Sequence, residues 1–242
     1  MEGEKMTVNS KKINSQVKKI EEISDKDRTQ MLRLMQEFYE NVFEKNFNED
    51  LKEKDYCLML YNEEGDIKGF STQQNISMRV EGKTIKGVFS GDTIIHKDYW
   101  GSMELYKEFA RKFIKDDDEE FYWFLISKGY KTYKMLPLFF KDFYPNYKTE
   151  TPKYEKKIMD TFGRSQYPEY YDKSSGVIKY KEIKDKLKDG VADITERQLR
   201  DKDIQYFTKL NPGHIDGQDL VCLARLNQRN SRSTVNRLLR GV

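Results

Sequence analysis

Residues 90–113 read SGDTIIHKDYWGSMELYKEFARKF, and the side chains with the plainest chemistry in this chain sit in the first half of that stretch. Asp92 and His96 stand four apart in a run of strand-forming residues. That spacing puts both on one face of a strand, and Ser90 has the same parity. An imidazole oriented by a carboxylate accepts a proton near neutral pH, so the pair is a candidate general base with its orienting partner. The alternative is a surface-loop histidine beside a capping aspartate. The run then passes through Gly101 into a helical pattern. The first N–H groups of a helix lack intrahelical acceptors and its dipole favours negative charge, so this junction is a candidate anion site. Glycine there permits close backbone approach. The only other histidine, His214, lies in the turn NPGHIDG. Tyr130 and Tyr133, just beyond the apolar run FYWFLIS, are candidate proton donors or packing residues.

The elements that must position these groups follow from hydrophobic periodicity. SDKDRTQMLRLMQEFYENVF predicts a helix capped by Ser24 or Asp25, with Met31, Leu34, Met35, Phe38 and Val42 on one stripe. FNEDLKEKD reads as a link to the strand YCLMLYN. IKGFSTQQNISMRV and TIKGVFSGDTIIH flank EGK and predict an antiparallel hairpin. A helix follows with Met103, Tyr106, Phe109, Ala110 and Phe113 on one face. FYWFLIS, apolar throughout, predicts a central strand covered on both sides. YKTYKMLPLFFKDFYPN predicts a helix interrupted at Pro137. Later, ERQLRDKDIQYFTKLNPG reads as a helix, DLVCLARL as the last strand, and the arginine-rich end as a solvated tail.

Composition narrows the function classes. The chain has 242 residues, 37% hydrophobic and 13% aromatic, enough for a sizeable core. Its 44 basic and 41 acidic residues leave a net charge of +3, without the clustered excess of a nucleic-acid binder. Cys57 and Cys222 sit in apolar runs without metal-ligand spacing and read as buried thiols, with no metal expected. No stretch reaches the roughly 18 apolar residues of a membrane span, and the N-terminus lacks a signal-peptide pattern, so a cytoplasmic protein is expected.

The element order and the segment IHKDYWGSMEL resemble the GNAT superfamily of acyl-CoA N-acyltransferases over residues 25–147. In that family a strand leads through an aromatic residue into an R-G-x-G-x-G/A loop. Ile95 takes the place of the usual valine, Tyr99 the aromatic and Gly101 the first glycine, while Trp100 stands where arginine is usual. The resemblance implies that Ile94 and Ile95 bond the pantetheine arm of an acyl donor. It implies that Trp100, Gly101, Ser102 and Met103 hold its phosphates. With Met103 and Leu105 near the later glycines, a phosphopantetheine on a carrier protein suits the loop as well as coenzyme A. The family's tyrosine acid falls at Phe139 or Phe140, which leaves Tyr130 or Tyr133 for that role.

The resulting expectation is an α/β (α+β) fold. A mixed, mostly antiparallel sheet is flanked by helices, with an extended C-terminal region. Residues 1–24 form a flexible segment, 25–147 the donor-binding core and 148–242 the acceptor side of the same domain. The expected activity is N-acyl transfer from an acyl-CoA or acyl-carrier-protein thioester, medium or long chains included, to an amine such as a peptide side chain. His96, Asp92 and Tyr133 are the catalytic candidates. The aromatics Trp123, Phe139, Phe140, Phe143 and Tyr144 are either core or an acyl tunnel. The competing reading is a GNAT-fold binding protein that has lost catalysis.

Overall fold

The computed structural model describes residues 12–182 and 184–240. Strand β1 (Asn14–Lys19) precedes α1 (Asp25–Phe38), which starts where the Ser24 hydroxyl accepts the Asp27 N–H. Then come β2 (Tyr39–Glu40), α2 (Glu44–Lys52), β3 (Tyr56–Tyr61), β4 (Ile67–Val80), β5 (Lys83–Ile95), α3 (Glu104–Phe113) and β6 (Phe121–Ser127). Two short helices, α4 (Tyr130–Tyr133) and α5 (Met135–Phe139), lead through β7 (Phe143–Tyr144) to α6 (Lys153–Gln166). The chain ends with β8 (Tyr171–Asp172), β9 (Val177–Ile178), β10 (Lys186–Leu187), α7 (Lys202–Leu210), β11 (Asp219–Arg225) and α8 (Ser233–Arg240).

The main sheet runs β1-β3-β4-β5-β6-β11-β9-β8, with β7 also on β11. Every pair in it is antiparallel except β5 with β6. The expected mixed, mostly antiparallel α/β sheet is therefore present, with β6 central between β5 and β11. One face carries a large cluster under α3, α4, α5, α7 and α8, including Val88, Leu105, Phe109, Trp123, Leu125 and Cys222. The opposite face is covered in two separate places. Met31, Phe38, Phe47, Leu51, Phe70 and Ile94 pack under α1 and α2. Ile85, Phe89, Phe124, Phe162 and Val221 pack under α6. Two apolar patches on one sheet face leave room between them for polar groups.

Several expectations change. Of the segment expected to be flexible, residues 14–19 form β1 on the edge of the sheet, because Val17 packs inward beside β3; residues 1–11 lie outside the described residues. The link FNEDLKEKD is largely helix α2, since Phe47 and Leu51 share one face and are buried. The arginine-rich end is no solvated tail. Val235, Leu238 and Leu239 recur at helical spacing, so α8 docks on α3, and Arg232 donates to the Phe140 carbonyl at 2.8 Å.

Candidate functional site

The site begins where the only parallel strand pair among the described residues, β5 with β6, comes apart. β5 and β6 pair from Lys86↔Phe121 to Ser90↔Leu125, yet β5 continues to Ile95 and β6 to Ser127. Beyond Ser90 the edge of β5 that faced β6 has no neighbouring strand among the described residues. A wedge opens there, and a cavity of about 560 Å³ occupies it. That is within the size range of small-molecule sites.

A bulge in β5 decides which side chains enter the wedge. Gln73 pairs with Ser90 but Ser71 pairs with Thr93, so two residues of β5, Gly91 and Asp92, oppose Thr72 alone. The alternation of faces shifts at that point. Val88 packs on the α3 side and Phe89 on the α6 side, whereas beyond the bulge Ile95 packs on the α3 side and Ile94 under α1 and α2. Asp92 therefore faces the α1–α2 side. Ser90 faces the other way and accepts the Trp123 indole N–H at 2.8 Å while donating to Gln73 Oε1 at 2.8 Å. The shared face expected for Ser90 and Asp92 does not exist.

Asp92 lines the cavity, and among the described residues no hydrogen bond or ion pair engages its carboxyl. Burial first, then the neighbouring Asp50 and Asp185, push its pKa up to about 7, against the pull of Lys128 and Lys54. Around it the cavity is lined by Tyr39, Asp185, Asp219, Lys128, Tyr167 and Tyr180. Lys128 lies 2.9 Å from Asp219 and 3.3 Å from Asp185. Burial works against its charge, but those two carboxylates outweigh it and hold its pKa above the ordinary lysine value. Tyr180 donates to the same Asp219 oxygen at 3.0 Å. Burial, then Asp219, keeps both Tyr167 and Tyr180 protonated far above pH 10.

The other end of the cavity is the junction at Gly101. Ile94, Ile95, Trp100, Gly101, Ser102 and Met103 all line it. The strand does not pass straight into the helix: a 3₁₀ turn at Lys97–Tyr99 intervenes, and Gly101 has φ +98°, the left-handed region that favours glycine. Trp100 is bent back, with its indole donating to the Ile95 carbonyl at 2.8 Å and the Lys131 ammonium 3.7 Å above its ring. At the start of α3, Met103 supplies no capping side chain, and the Ser102 hydroxyl accepts the Glu104 N–H at 3.4 Å.

The Asp92–His96 pair is not formed. Four residues along a strand share a face but lie about 13 Å apart. His96 is absent from the cavity wall; its Nδ1 accepts the Asp98 N–H at 3.2 Å and its Nε2 lies 3.5 Å from Glu37. Tyr133 is fully buried, donates its hydroxyl to the Pro145 carbonyl at 2.8 Å and packs on Phe143 and Phe207. Neither group reaches the wedge. Trp123 lines the cavity, while Phe139, Phe140, Phe143 and Tyr144 belong to the packed interior. His214 packs at a tilt against Phe207 beside a second cavity, with its pKa lowered by burial.

Sequence reading missed Asp185, Asp219 and Lys128. Lys128 follows β6 and Asp219 begins β11, and the register Leu220↔Ser127 sets them opposite each other. A charged residue at each end of two apolar runs was the available signal.

No protein-family model and no curated protein matches the chain. Solved structures similar to it include a probable N-acyltransferase of unknown function from Enterococcus faecalis V583. It is 13% identical over 50% of this chain and 31% of that one, with a TM-score of 0.38. A GNAT-family N-acetyltransferase (YhbS) from Escherichia coli in complex with CoA is 15% identical over 48% and 63%, with a TM-score of 0.36. The N-myristoyltransferase of Saccharomyces cerevisiae with bound myristoyl-CoA is 11% identical over 66% and 48%, with a TM-score of 0.34. The chain thus spans about a third of the first of these proteins and under two thirds of the second. Among the described residues no helix is long and apolar enough to cross a membrane.

Proposed function

We propose that the protein transfers an acyl group from a phosphopantetheine thioester to an amine. The observation that carries this reading is the wedge between β5 and β6, with a strand edge along one wall, a helix N-terminus at one end and an unpaired carboxyl at the other. An extended arm that bears amides adds to a free strand edge through main-chain hydrogen bonds. Residues 91–95 offer such an edge, and the arm's phosphate then reaches the first turn of α3 and the Gly101 backbone. The arm is common to coenzyme A and to acyl carrier proteins, and the wedge suits either.

Asp92 takes the amine proton as a carboxylate, and its pKa, raised to about 7, supports that role. The deep wall of the cavity is apolar, formed by Leu58, Leu105, Phe109, Trp123 and Leu125, and it suits an acyl chain longer than acetyl. Phe139 and Phe140, buried where the resembling family carries its tyrosine acid, favour a second reading, donor binding without transfer.

Calorimetry with coenzyme A, an acyl-CoA and an acyl carrier protein tests the first reading. Binding of at least one is expected, and binding of none would remove both readings. Single-turnover transfer to an amine panel then separates them.

A further inference from the structure

On the side of the cavity under α1 and α2, charge pairing leaves one carboxylate over. Four carboxylates line the side under α1 and α2: Asp50, Asp92, Asp185 and Asp219. Three ammonium groups answer them. Lys54, nearly buried, reaches Asp50 at 2.7 Å. Lys128 holds Asp219 at 2.9 Å, and Lys184 lies 3.9 Å from Asp185. Among these four, Asp92 is the carboxylate without a cation. A buried carboxylate is tolerated when a proton or an opposite charge relieves it. Asp92 is partly buried in the cavity wall and has no such partner among the described residues, and a bound cation would supply one.

We infer that the acceptor is a primary alkylammonium, the chemistry shared by a lysine side chain and a free aliphatic diamine, with its charge on Asp92 and its stem along the rings of Tyr39, Tyr167 and Tyr180. This rests on the acyl-transfer reading of the same cavity. The tyrosine rings lining this end suit a cation, because a ring face attracts an ammonium. An α-amino acid fits badly: its carboxylate would enter an excess of like charge, where each lysine is already engaged. An arylamine, neutral at pH 7, would leave the Asp92 charge unanswered.

The chemistry closes without a further reagent. Asp92 takes one proton from the ammonium, leaving a neutral amine and a carboxylic acid. The amine nitrogen attacks the thioester carbonyl carbon and the C–N bond forms. The C–S bond breaks, the sulfur leaves with the electron pair and takes one proton, and the amide nitrogen gives up its second proton. One of these protons is the one that Asp92 carries, and the other returns to solvent.

The test uses the full chain and four probes: Nα-acetyl-lysine methylamide, 1,5-diaminopentane, aniline and glycine. Calorimetry without any donor should show binding of one or both alkylamines and not of aniline or glycine. Asp92→Asn, which keeps the volume and removes the charge, should weaken that binding at least tenfold. Tyr39→Leu, which removes a ring and no charge, should weaken it severalfold. With donor present, only the bound alkylamines should be acylated. Preference for the blocked lysine assigns a peptide side chain, and preference for the diamine assigns a free amine. Equal use of aniline, or alkylamine binding unchanged by both substitutions, would overturn the inference. Failure to bind any donor would overturn acyl transfer instead, because the donor-free titration still reports on the ammonium site.

Discussion

Ser90 and Asp92 are two residues apart on one strand and face opposite sides of the sheet. Residues so spaced normally share a face, and the bulge at Gly91 is what separates them. Ser90 is thereby left to the Trp123 indole in the interior, and Asp92 is turned into the cavity. A side chain at Gly91 has no room: a Cβ there would stand 2.7 Å from Thr72 Oγ1 and 2.9 Å from Lys54 Cε. Gly91→Ala should therefore destabilise the fold by about 1–3 kcal/mol, the usual cost of overpacking. It should also weaken amine use, because Lys54 must shift beside Asp92. Urea denaturation and amine titration check this, and an unchanged midpoint would mean that the bulge tolerates a methyl group.

The raised pKa of Asp92 makes stability depend on pH, and on the proposed role it makes activity depend on pH in the opposite sense. Its pKa in the fold is raised to about 7 from 3.8, so the native state binds more protons than the unfolded chain between those values. Stability must then fall as pH rises from about 4 to 7, by on the order of 2–4 kcal/mol from this group alone. Transfer should rise over the upper part of that range, as the carboxylate forms. Asp92→Asn should be the more stable protein at pH 8 and should lose roughly a hundredfold or more in turnover. Melting curves at pH 5 and pH 8 beside rate profiles decide it. A variant less stable than the parent at pH 8 would contradict the assignment.

His96 and Tyr133 should separate from Asp92 in the same assays. Tyr133→Phe removes one buried hydrogen bond, to Pro145, and should cost about 1 kcal/mol of stability with turnover unchanged. His96→Ala removes the acceptor of the Asp98 N–H and should lower the melting temperature with little effect on rate. A large fall in turnover for either would return that residue to the mechanism.

What was legible in the sequence was local. The stripe Met31, Leu34, Met35 and Phe38 announced α1, and the apolar run at 121–127 announced a central strand. The end of the cavity at Gly101, formed by residues between Ile94 and Met103, is one continuous segment, so its resemblance to a known loop could be read directly. The end around Asp92 is assembled from distant pieces. Tyr39 comes from the short strand after α1, Lys128 from the end of β6 and Tyr167 from the end of α6. Asp185 precedes β10, and Asp219 opens β11. The pairing of β6 with β11 and of β2 with β10, and the packing of α6 on β11, bring them together. The bulge was invisible for a different reason: counting parity along β5 assumes a regular strand, and the extra residue reverses it. Helices α2 and α8 were hidden by composition, because two or three apolar residues at helical spacing were outvoted by charge.

The apolar wall of the cavity sets the last expectation, which concerns chain length. Leu105 and Phe109 from α3, Leu58 from β3, and Trp123 and Leu125 from β6 all border the space beside the wedge. A thioester held on the free edge of β5 has the charged groups on one side of the sheet and this wall on the other. An acyl chain avoids the carboxylates and lies along the wall. Each methylene buried there contributes about 0.8 kcal/mol, roughly a fourfold gain in affinity, until the chain fills the space. Octanoyl and myristoyl donors should therefore compete out acetyl donor in a mixed assay, with the advantage levelling off at a definite length. Leu125→Ala should weaken binding of the longer donors and leave acetyl-CoA binding unchanged, since an acetyl group is too short to lie along this wall. Equal use of acetyl and octanoyl donors would show that these residues are packed interior and that the chain lies elsewhere.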